Sequence, residues 1–430
     1  MHADREREAW LILLRTPAVG GAGLRALLAH EGNACGVLAR LRRTPPAALP
    51  AAARAWLRVP DAARITADLR WLQAPDRRLL TCRDADFPPQ LDACAGAPAA
   101  LWVHGDAACL LAPQIAIVGA RAATPEGLAH ARRFAQRLGA AGLAIASGLT
   151  ACVDGTAHAA ALDTAGGTVA VVGTGCDVVY PARHRELAAR IAAQGAVVSA
   201  FVPGTAPHAA HFPMRNRVLA GLALGTLVVE AGQRSGALIT AHAATALGRE
   251  VFAVPGSIAN PMARGCHRLI REGAQLVETP EEVLQALRPA IAALGLRLRE
   301  RLDAADAAPA ADAAEAAAHD GTGGDTEGRR WLAEMGHAPV ALEVLALRLP
   351  VDRGGGGGAG PAGTGRPRGA HRRRSLAAIA GLSRLPGLNR GAARGSRCRG
   401  GRSRRAGVRV PARRRPPRAP RPGYRPARNW

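Results

Sequence analysis

The chain has 430 residues, of which 48% are hydrophobic, so it can form two or three domains and bury at least one substantial core. No window approaches about 18 unbroken apolar residues, so we expect no membrane span. The first fifteen residues include several charged side chains and lack the apolar stretch of a signal peptide, so we expect a cytoplasmic protein. The net charge is +24, and all 57 basic residues are arginine. Of these, 22 lie in 353–430, which has no acidic residue. Residues 1–352 contain the other 35 arginines and all 33 acidic residues, so this part is nearly neutral. A polyanion site in the folded part must therefore depend on a local arginine cluster.

The cysteines are scattered along the chain and form no Cys-x-x-Cys pair. They stand at positions 35, 82, 94, 109, 152, 176, 266 and 398. This pattern favours buried or incidental thiols in a reducing compartment, and it gives no support to a metal site.

Residues 1–76 have the apolar spacing of helices, and we predict a small N-terminal helical domain. Trp10 and its neighbouring leucines lead into the segment 16–21 (Thr-Pro-Ala-Val-Gly-Gly), and further leucines follow. This arrangement resembles a helix-hairpin-helix or SAM-like unit, whose glycine-rich turn can present backbone N–H groups to phosphate. A small domain used only for packing gives the same pattern, and the sequence does not separate the two interpretations.

From 77 to 288 short apolar strands alternate with helices. The predicted strands are 115–118, 143–146, 168–172, 196–199, 226–230, 250–254 and 275–277. Thr124-Pro125 has the pattern of a helix cap followed by proline, and Thr279 with Glu282 has capping-box spacing; further helices are predicted at 235–247 and 265–272. Fully apolar strands between helices predict an α/β fold with a doubly wound, mostly parallel sheet.

The sequence changes character after the predicted core. Residues 289–328 are rich in alanine, aspartate and glycine and are predicted to form a linker, and 329–352 has room for one or two short helices. Residues 353–430 consist mainly of arginine, glycine, proline and alanine, so we expect a disordered tail that cannot bury enough apolar area. A GC-rich gene read in a shifted frame gives this composition, and we favour that origin over an evolved basic arm.

Small and basic residues follow several predicted strands, at the edge where a doubly wound sheet binds its ligands. The candidates of this kind are Gly119, Arg121, Ser147, Gly148, Ser235 and Gly236. Small residues let a ligand approach the backbone, and helix starts offer oriented N–H groups suited to phosphate. We therefore predict that these residues line a binding site.

The most informative segment is 212–217, at the start of a predicted helix. It places Arg215, Asn216 and Arg217 just after Phe212. Arginine pairs well with phosphate oxygens, and a phenylalanine ring can stack on an unpaired base, a contact worth roughly 1–3 kcal/mol. A capped helix with solvated charges and a core phenylalanine contains the same residues, so this segment alone does not decide the function.

Taken together, these segments resemble the DprA/Smf family of DNA-processing proteins over about 80–288. The matching motifs run in order through 117–121, 147–158, 173–181, 212–222, 229–241, 254–256 and 265–274. The resemblance implies an extended Rossmann-like fold, a pocket for single-stranded DNA at the candidate residues above and a homodimer. It also implies a role in protecting incoming DNA and loading RecA in natural transformation. We expect Ile270, Val283, Leu284 and Leu287 to supply dimer contacts, with packing on the sheet as the alternative.

The chain departs from the family pattern at several points. Cys152 stands where the family usually has glycine, and Ala200 where it usually has glutamate. Met214 is commonly basic in relatives, which removes one expected phosphate contact. Members often carry a C-terminal winged-helix domain, and we interpret 329–352 as a remnant of one.

Two enzymatic alternatives stay open at this point. A phosphoribohydrolase of similar fold would carry a Pro-Gly-Gly-x-Gly-Thr loop, which 172–176 lacks, and an NAD-dependent enzyme would need a third glycine where Val178 stands. Asp154 and His158 could share a helix face, but no nucleophile or metal-binding set accompanies them, so we favour a structural role. We predict no catalytic residues, no cofactor and no metal.

Overall fold

A computed structural model describes residues 2–307 of the chain. The predicted winged-helix remnant at 329–352 and the tail at 353–430 lie outside these described residues. No helix between residues 2 and 307 combines the length and the apolar character needed to cross a membrane.

A single nine-stranded sheet organises the described residues, in the order β1-β2-β6-β5-β4-β3-β7-β8-β9. The strands are β1 (Arg77–Thr81), β2 (Ala100–Gly105), β3 (Gln114–Val118), β4 (Ala144–Ser147), β5 (Thr168–Val171), β6 (Ala196–Ser199), β7 (Gly225–Val228), β8 (Glu250–Ala253) and β9 (Gln275–Leu276). The strands from β3 to β9 are parallel to their neighbours, while β2 runs antiparallel to both β1 and β6. The predicted doubly wound, mostly parallel α/β fold is therefore confirmed.

All seven predicted strands are present, with ends shifted by at most two residues. Two antiparallel strands at one edge, β1 and β2, were not predicted. β1 begins with two arginines and so lacks the apolar run of the parallel strands, whereas β2 has a buried apolar run at 100–103 that sequence reasoning overlooked.

Helices cover both faces of the sheet and form the N-terminal region. They are α1 (His2–Leu14), α2 (Gly21–Glu31), α3 (Ala34–Arg43), α4 (Ala51–Arg58), α5 (Ala62–Leu72), α6 (Pro89–Asp92), α7 (Pro125–Ala140), α8 (Val153–Ala161), α9 (Arg185–Gln194), α10 (His211–Leu222), α11 (Gly236–Ala246), α12 (Arg264–Arg271) and α13 (Pro280–Ala307). Because side chains alternate along β3, Ile117 packs with Phe134 of α7, whereas Val118 packs with Leu219 of α10 and Leu269 of α12. Helices α10, α11 and α12 therefore share one face of the sheet, opposite α7, α8 and α13.

The predicted helix caps at Thr124 and Thr279 are formed. The Thr124 hydroxyl accepts the Gly127 N–H at 3.0 Å, and Pro125 is the first helical residue. The Glu282 carboxylate accepts the Thr279 N–H at 3.3 Å, which is one half of a capping box. These local contacts start α7 and α13 where the sequence predicts.

Helix α13 contradicts one prediction, because residues 289–307 are helical rather than part of a linker. The segment is rich in alanine, leucine and arginine, which have high helix propensity. Leu287 and Leu294 are buried and attach the helix to the core.

The N-terminal helices pack against the sheet through a shared apolar cluster that includes Leu13 and Trp102. The fully buried Asp68 accepts from Arg15 Nε at 2.5 Å and Nη2 at 2.6 Å, and Nη2 also donates to the Pro203 carbonyl at 3.1 Å. Gly21 lies against Pro98, where an added Cβ would come within 3.0 Å of the proline Cα. The glycine-rich turn is thus used in packing. The domain boundary at residue 76 stays a prediction.

Candidate nucleic-acid interface

The carboxyl ends of the strands from β3 to β9 meet at one edge of the sheet. The chain places β4, β5 and β6 on one side of β3, and β7, β8 and β9 on the other. Such a reversal opens a crevice at the carboxyl ends, which is where ligands of doubly wound sheets bind. The candidate site is therefore built from the segments that follow β3, β4 and β5 and from the start of α10.

Three of the predicted site residues meet at this edge. The guanidinium carbon of Arg121 lies 5.5 Å from the ring centroid of Phe212, and that of Arg215 lies 5.9 Å from it. The Tyr180 ring centroid is 6.0 Å from that of Phe212, with the two rings tilted by 56°. Two cations and two aromatic rings thus form one compact group, which we call the Phe212 pocket.

Arg215 is the buried member of the Phe212 pocket. Its Nη1 donates to the Val171 carbonyl at 2.8 Å, and its Nε is buried without a hydrogen-bond partner among the described residues. A Cβ at Gly148 would lie 1.9 Å from Nη1, so only glycine leaves room for the guanidinium. Burial lowers the pKa of Arg215 to about 10, while Asp154 opposes this and Arg121 adds to it. The side chain is therefore a buried cation at neutral pH.

Arg121 differs from Arg215 in being exposed. It extends from the turn after β3 and contacts the same aromatic ring as the buried cation. A phosphate can be bound by the exposed guanidinium while an unpaired base stacks on the ring, and the buried charge of Arg215 adds to the attraction. The pocket is thus suited to a ligand that carries both an anionic group and a flat ring.

Ser147 and Gly119 make structural contacts next to the pocket. The Ser147 hydroxyl donates to the Ile117 carbonyl at 2.6 Å, which joins β4 to β3. A Cβ at Gly119 would come within 2.6 Å of Val153 Cγ2, so this glycine allows α8 to pack closely. Both residues support the backbone on which the pocket is built.

Asn216 and Arg217 are separated from each other on α10. Asn216 is buried, whereas Arg217 is exposed. Positions two apart on a helix do not share a side, so the side chains of Arg215 and Arg217 leave α10 in different directions. That both arginines contact one phosphate track together with Arg121 stays a prediction.

Ser235 and Gly236 lie at the start of α11, after β7. The Ser235 hydroxyl accepts the Ala237 N–H at 3.3 Å, and Gly236 has open space where a Cβ would be. In the described part of the chain, no contact joins these two residues to the Phe212 pocket. The predicted site is therefore divided between two places along the sheet edge.

Sequence reasoning missed a group of rings next to the pocket. The His211 ring lies 4.3 Å from the Phe201 ring and 5.3 Å from the His208 ring, and Tyr180 contacts Phe212. The signal was available, since these rings cluster in the twelve residues that end at Phe212 and Tyr180 precedes a proline. We had included the ring of Phe212 in the predicted site, but not those of Phe201, His208 and His211.

Glu230 occupies the start of α7, next to the reversal point of the sheet. Its Oε2 accepts the Thr124 N–H at 2.8 Å, and its Oε1 accepts the Thr124 hydroxyl at 2.7 Å and the Asn260 amide at 3.1 Å. A Cβ at Gly127 would lie 2.4 Å from Glu230 Cδ, so glycine is needed there. In dinucleotide-binding folds this helix start receives the pyrophosphate. Here a carboxylate of the chain itself takes that position, which argues against the NAD alternative.

Asp154 and His158 each have a separate structural partner. The Asp154 carboxylate accepts from the Thr150 hydroxyl at 2.7 Å, whereas His158 Nδ1 lies 2.7 Å from the Thr168 hydroxyl. Burial, followed by the charges of His184 and Arg215, lowers the pKa of His158 to about 3, so the ring is neutral at pH 7. These contacts favour a structural role over acid–base chemistry. Within residues 2–307, no group of three or more His, Cys, Asp or Glu is placed to hold a metal ion.

Comparison with known proteins gives a consistent result. The family model described as DNA recombination-mediator protein A matches residues 78–288. Protein Smf of Escherichia coli K12 is 48% identical over 206 residues, which cover 47% of this chain and 55% of that protein. DNA processing protein DprA of Streptococcus pneumoniae is 43% identical over 201 residues, which cover 47% and 71%.

Among solved structures, that of DprA from Streptococcus pneumoniae superimposes with a TM-score of 0.59 and 34% sequence identity. The match covers 65% of this chain and 97% of that structure. By contrast, the chain spans little more than half the length of the Escherichia coli relative.

Proposed function

Because this chain is a member of the DNA recombination-mediator protein A (DprA/Smf) family, we propose that it binds single-stranded DNA as a recombination mediator. In this proposal it protects incoming DNA and helps to load RecA during natural transformation, in the cytoplasm and without catalysing a reaction. The family supports the cellular role, and the Phe212 pocket supports the choice of ligand.

The observation that carries the proposal is the contact of Arg121 and Arg215 with one aromatic ring, Phe212. An unpaired base can stack on Phe212 and Tyr180 while its phosphate pairs with Arg121. A duplex keeps its bases stacked on each other and cannot offer a free base face without unpairing. The pocket therefore favours single strands.

A homodimer and a RecA contact belong to the same proposal and rest on the family alone. Of the residues that we expected at the dimer contact, Val283, Leu284 and Leu287 are buried in the chain's own core. Ile270 is half-buried and keeps some exposed surface. Ile270 is therefore the one of these four residues that we retain for a dimer contact.

Binding of a labelled oligo-dT strand to the full chain tests the proposal, with excess unlabelled duplex present to occupy the arginine-rich segment after residue 352. Arg121→Ala should weaken binding and lower the slope of log affinity against log salt by about 0.7, because one phosphate contact is lost. Phe212→Ala should weaken binding by about 1–3 kcal/mol with little change in slope, because stacking releases few counterions.

Arg132→Ala provides the matched control, since Arg132 is exposed on α7, on the opposite face of the sheet. It should leave both affinity and slope unchanged. Wild-type affinity and slope in both the Arg121 and the Phe212 variants would contradict the proposed function.

A further inference from the structure

A second cluster of positive charge lies along α12 and next to the start of α11. Its members are Arg234, Arg264, Arg268 and Arg271, which together with Gln233 line an open cavity of about 390 Å³. Arg264, Arg268 and Arg271 are spaced by four and three residues on α12, so they share one side of the helix. Arg234 faces them from the loop that follows β7. We call this surface the arginine groove.

The charges of the arginine groove are largely uncompensated. Arg268 Nε donates to the Glu272 carboxylate at 2.7 Å, and the same carboxylate also contacts His242. Arg234, Arg264 and Arg271 are exposed and form no ion pair with any residue between 2 and 307. Like charges on one side of a helix repel each other, and among the described residues only Glu272, through its pair with Arg268, relieves part of this repulsion. The groove is thus prepared for an external anion.

The position of the groove relates it to the Phe212 pocket. The Gly265 N–H donates to the Ala231 carbonyl at 2.7 Å, so α12 begins beside the carboxyl end of β7. Helices α10 and α12 lie on the same face of the sheet, and both start at the same edge. Neighbouring strands are about 4.8 Å apart, so the two or three strands between the sites correspond to about 10–15 Å. A few nucleotides of an extended strand can cover this separation.

The chemistry of the lining selects the part of the ligand that is bound. No aromatic side chain is among the residues that line the cavity, so base stacking is not available there. Guanidinium groups pair with phosphate oxygens in a geometry that does not depend on the base. The groove is therefore suited to a sugar–phosphate backbone rather than to bases.

We propose that the arginine groove binds the backbone of the same single strand whose base enters the Phe212 pocket, and so extends the footprint of the protein. This inference rests on the proposed function. It assigns base contacts to the pocket and sequence-independent, salt-sensitive contacts to the groove.

The test compares the dinucleotide dTdT, which is too short to reach from the Phe212 pocket to the groove, with an oligo-dT strand of about 16 nucleotides, at the upper end of the usual site sizes of single-strand binders. The double variant Arg264→Gln/Arg271→Gln in the full chain should bind the short strand like wild type. For the long strand, the log–log salt slope should fall by about 1.4, because two phosphate contacts are lost. The control variant Arg132→Gln/Arg190→Gln removes two exposed arginines elsewhere, and its affinity and salt slope for both strands should equal those of wild type.

Two results would overturn the inference. If the double variant loses affinity equally for both strands, the arginines contribute to binding at the Phe212 pocket itself. If its affinity and salt slope for the long strand are unchanged, the groove binds another partner, such as an acidic protein surface. In the second case, Arg121→Ala still weakens binding if the proposed function is right, whereas failure of that variant as well would reject both. If the double variant is destabilised in urea unfolding, Arg234→Gln in the loop before α11 serves the same test.

Discussion

The starts of α7 and α10 lie at the same edge of the sheet, and they differ in whether an anion of the chain itself occupies them. At α7 the N–H and the hydroxyl of the cap residue Thr124 both donate to the Glu230 carboxylate, which is itself buried. At α10 the chain places Arg215 and Phe212 and leaves the Tyr180 ring 45% exposed beside them. The first start is closed by an internal anion, and the second is open to an external one.

This difference shows how one fold can change its ligand. A helix start binds phosphate through its backbone, and any fold of this type offers one after its first strand. In this chain that position is filled, and anion binding is left to arginine side chains next to aromatic rings. Nucleotide binding is thereby disfavoured, and contact with a nucleic-acid strand is favoured.

The largest expected effect concerns the closed start. Glu230→Gln should lower the free energy of unfolding by about 3 kcal/mol, because an amide nitrogen would face the Thr124 N–H in a buried site. Urea unfolding measures this loss. Glu126→Gln, an exposed change on the same helix, should stay within about 0.5 kcal/mol of wild type. A Glu230 variant as stable as wild type would show that the α7 start does not need its internal anion.

A smaller effect concerns His158, the buried and uncharged histidine whose pKa Arg215 helps to lower. The pKa of His158 is lowered to about 3 from an ordinary 6.5, mainly by burial and then by His184 and Arg215. The unfolded chain takes up a proton below pH 6.5 and the folded chain does not, so stability falls as pH decreases through that window. The loss is about 1.4 kcal/mol per pH unit, or about 2 kcal/mol at pH 5.

The measurement is urea unfolding at pH 7 and pH 5, for wild type and for His158→Gln. The wild-type protein should lose about 2 kcal/mol more than the variant between the two pH values. Equal losses in the two proteins would mean that His158 accepts a proton in the folded state.

The smallest expected effect concerns the position of Arg215 at the start of α10. Gly148→Ala should weaken binding of single-stranded DNA by about tenfold, roughly 1.4 kcal/mol, because the new methyl group displaces the Arg215 guanidinium. Gly23→Ala is the matched control, since Gly23 is exposed on α2 and has open space where a Cβ would be. Oligo-dT binding with excess duplex measures both variants. Equal affinities for the two glycine variants would show that the position of Arg215 does not matter for binding.

The parallel core could be predicted from the sequence because its signals are local. Apolar runs bounded by glycine marked all seven strands from β3 to β9, and Thr124-Pro125 marked the start of α7. The segment 212–217 was chosen for its arginines and its aromatic ring, and Arg121, Arg215 and Phe212 do lie together.

Features that depend on contacts between distant residues were not predictable in this way. The bond between Glu230 and Thr124 joins residues 106 apart, and the burial of Arg215 depends on the missing Cβ of Gly148. The sequence likewise gave no indication that Arg215 and Arg217 differ in exposure, or that an alanine-rich segment after 289 is held as a helix by Leu294. Local patterns identify residue types, while tertiary packing decides which of them face a ligand.

The Arg15 side chain has a mechanical consequence. It is clamped to Asp68 between α1 and α5, and the same guanidinium donates to the Pro203 carbonyl in the loop that leads to His208 and Phe212. The N-terminal helices are thus joined by a hydrogen bond to the loop that carries the ring side chains. A partner protein that bound these helices would therefore contact an element linked to the Phe212 pocket without touching DNA.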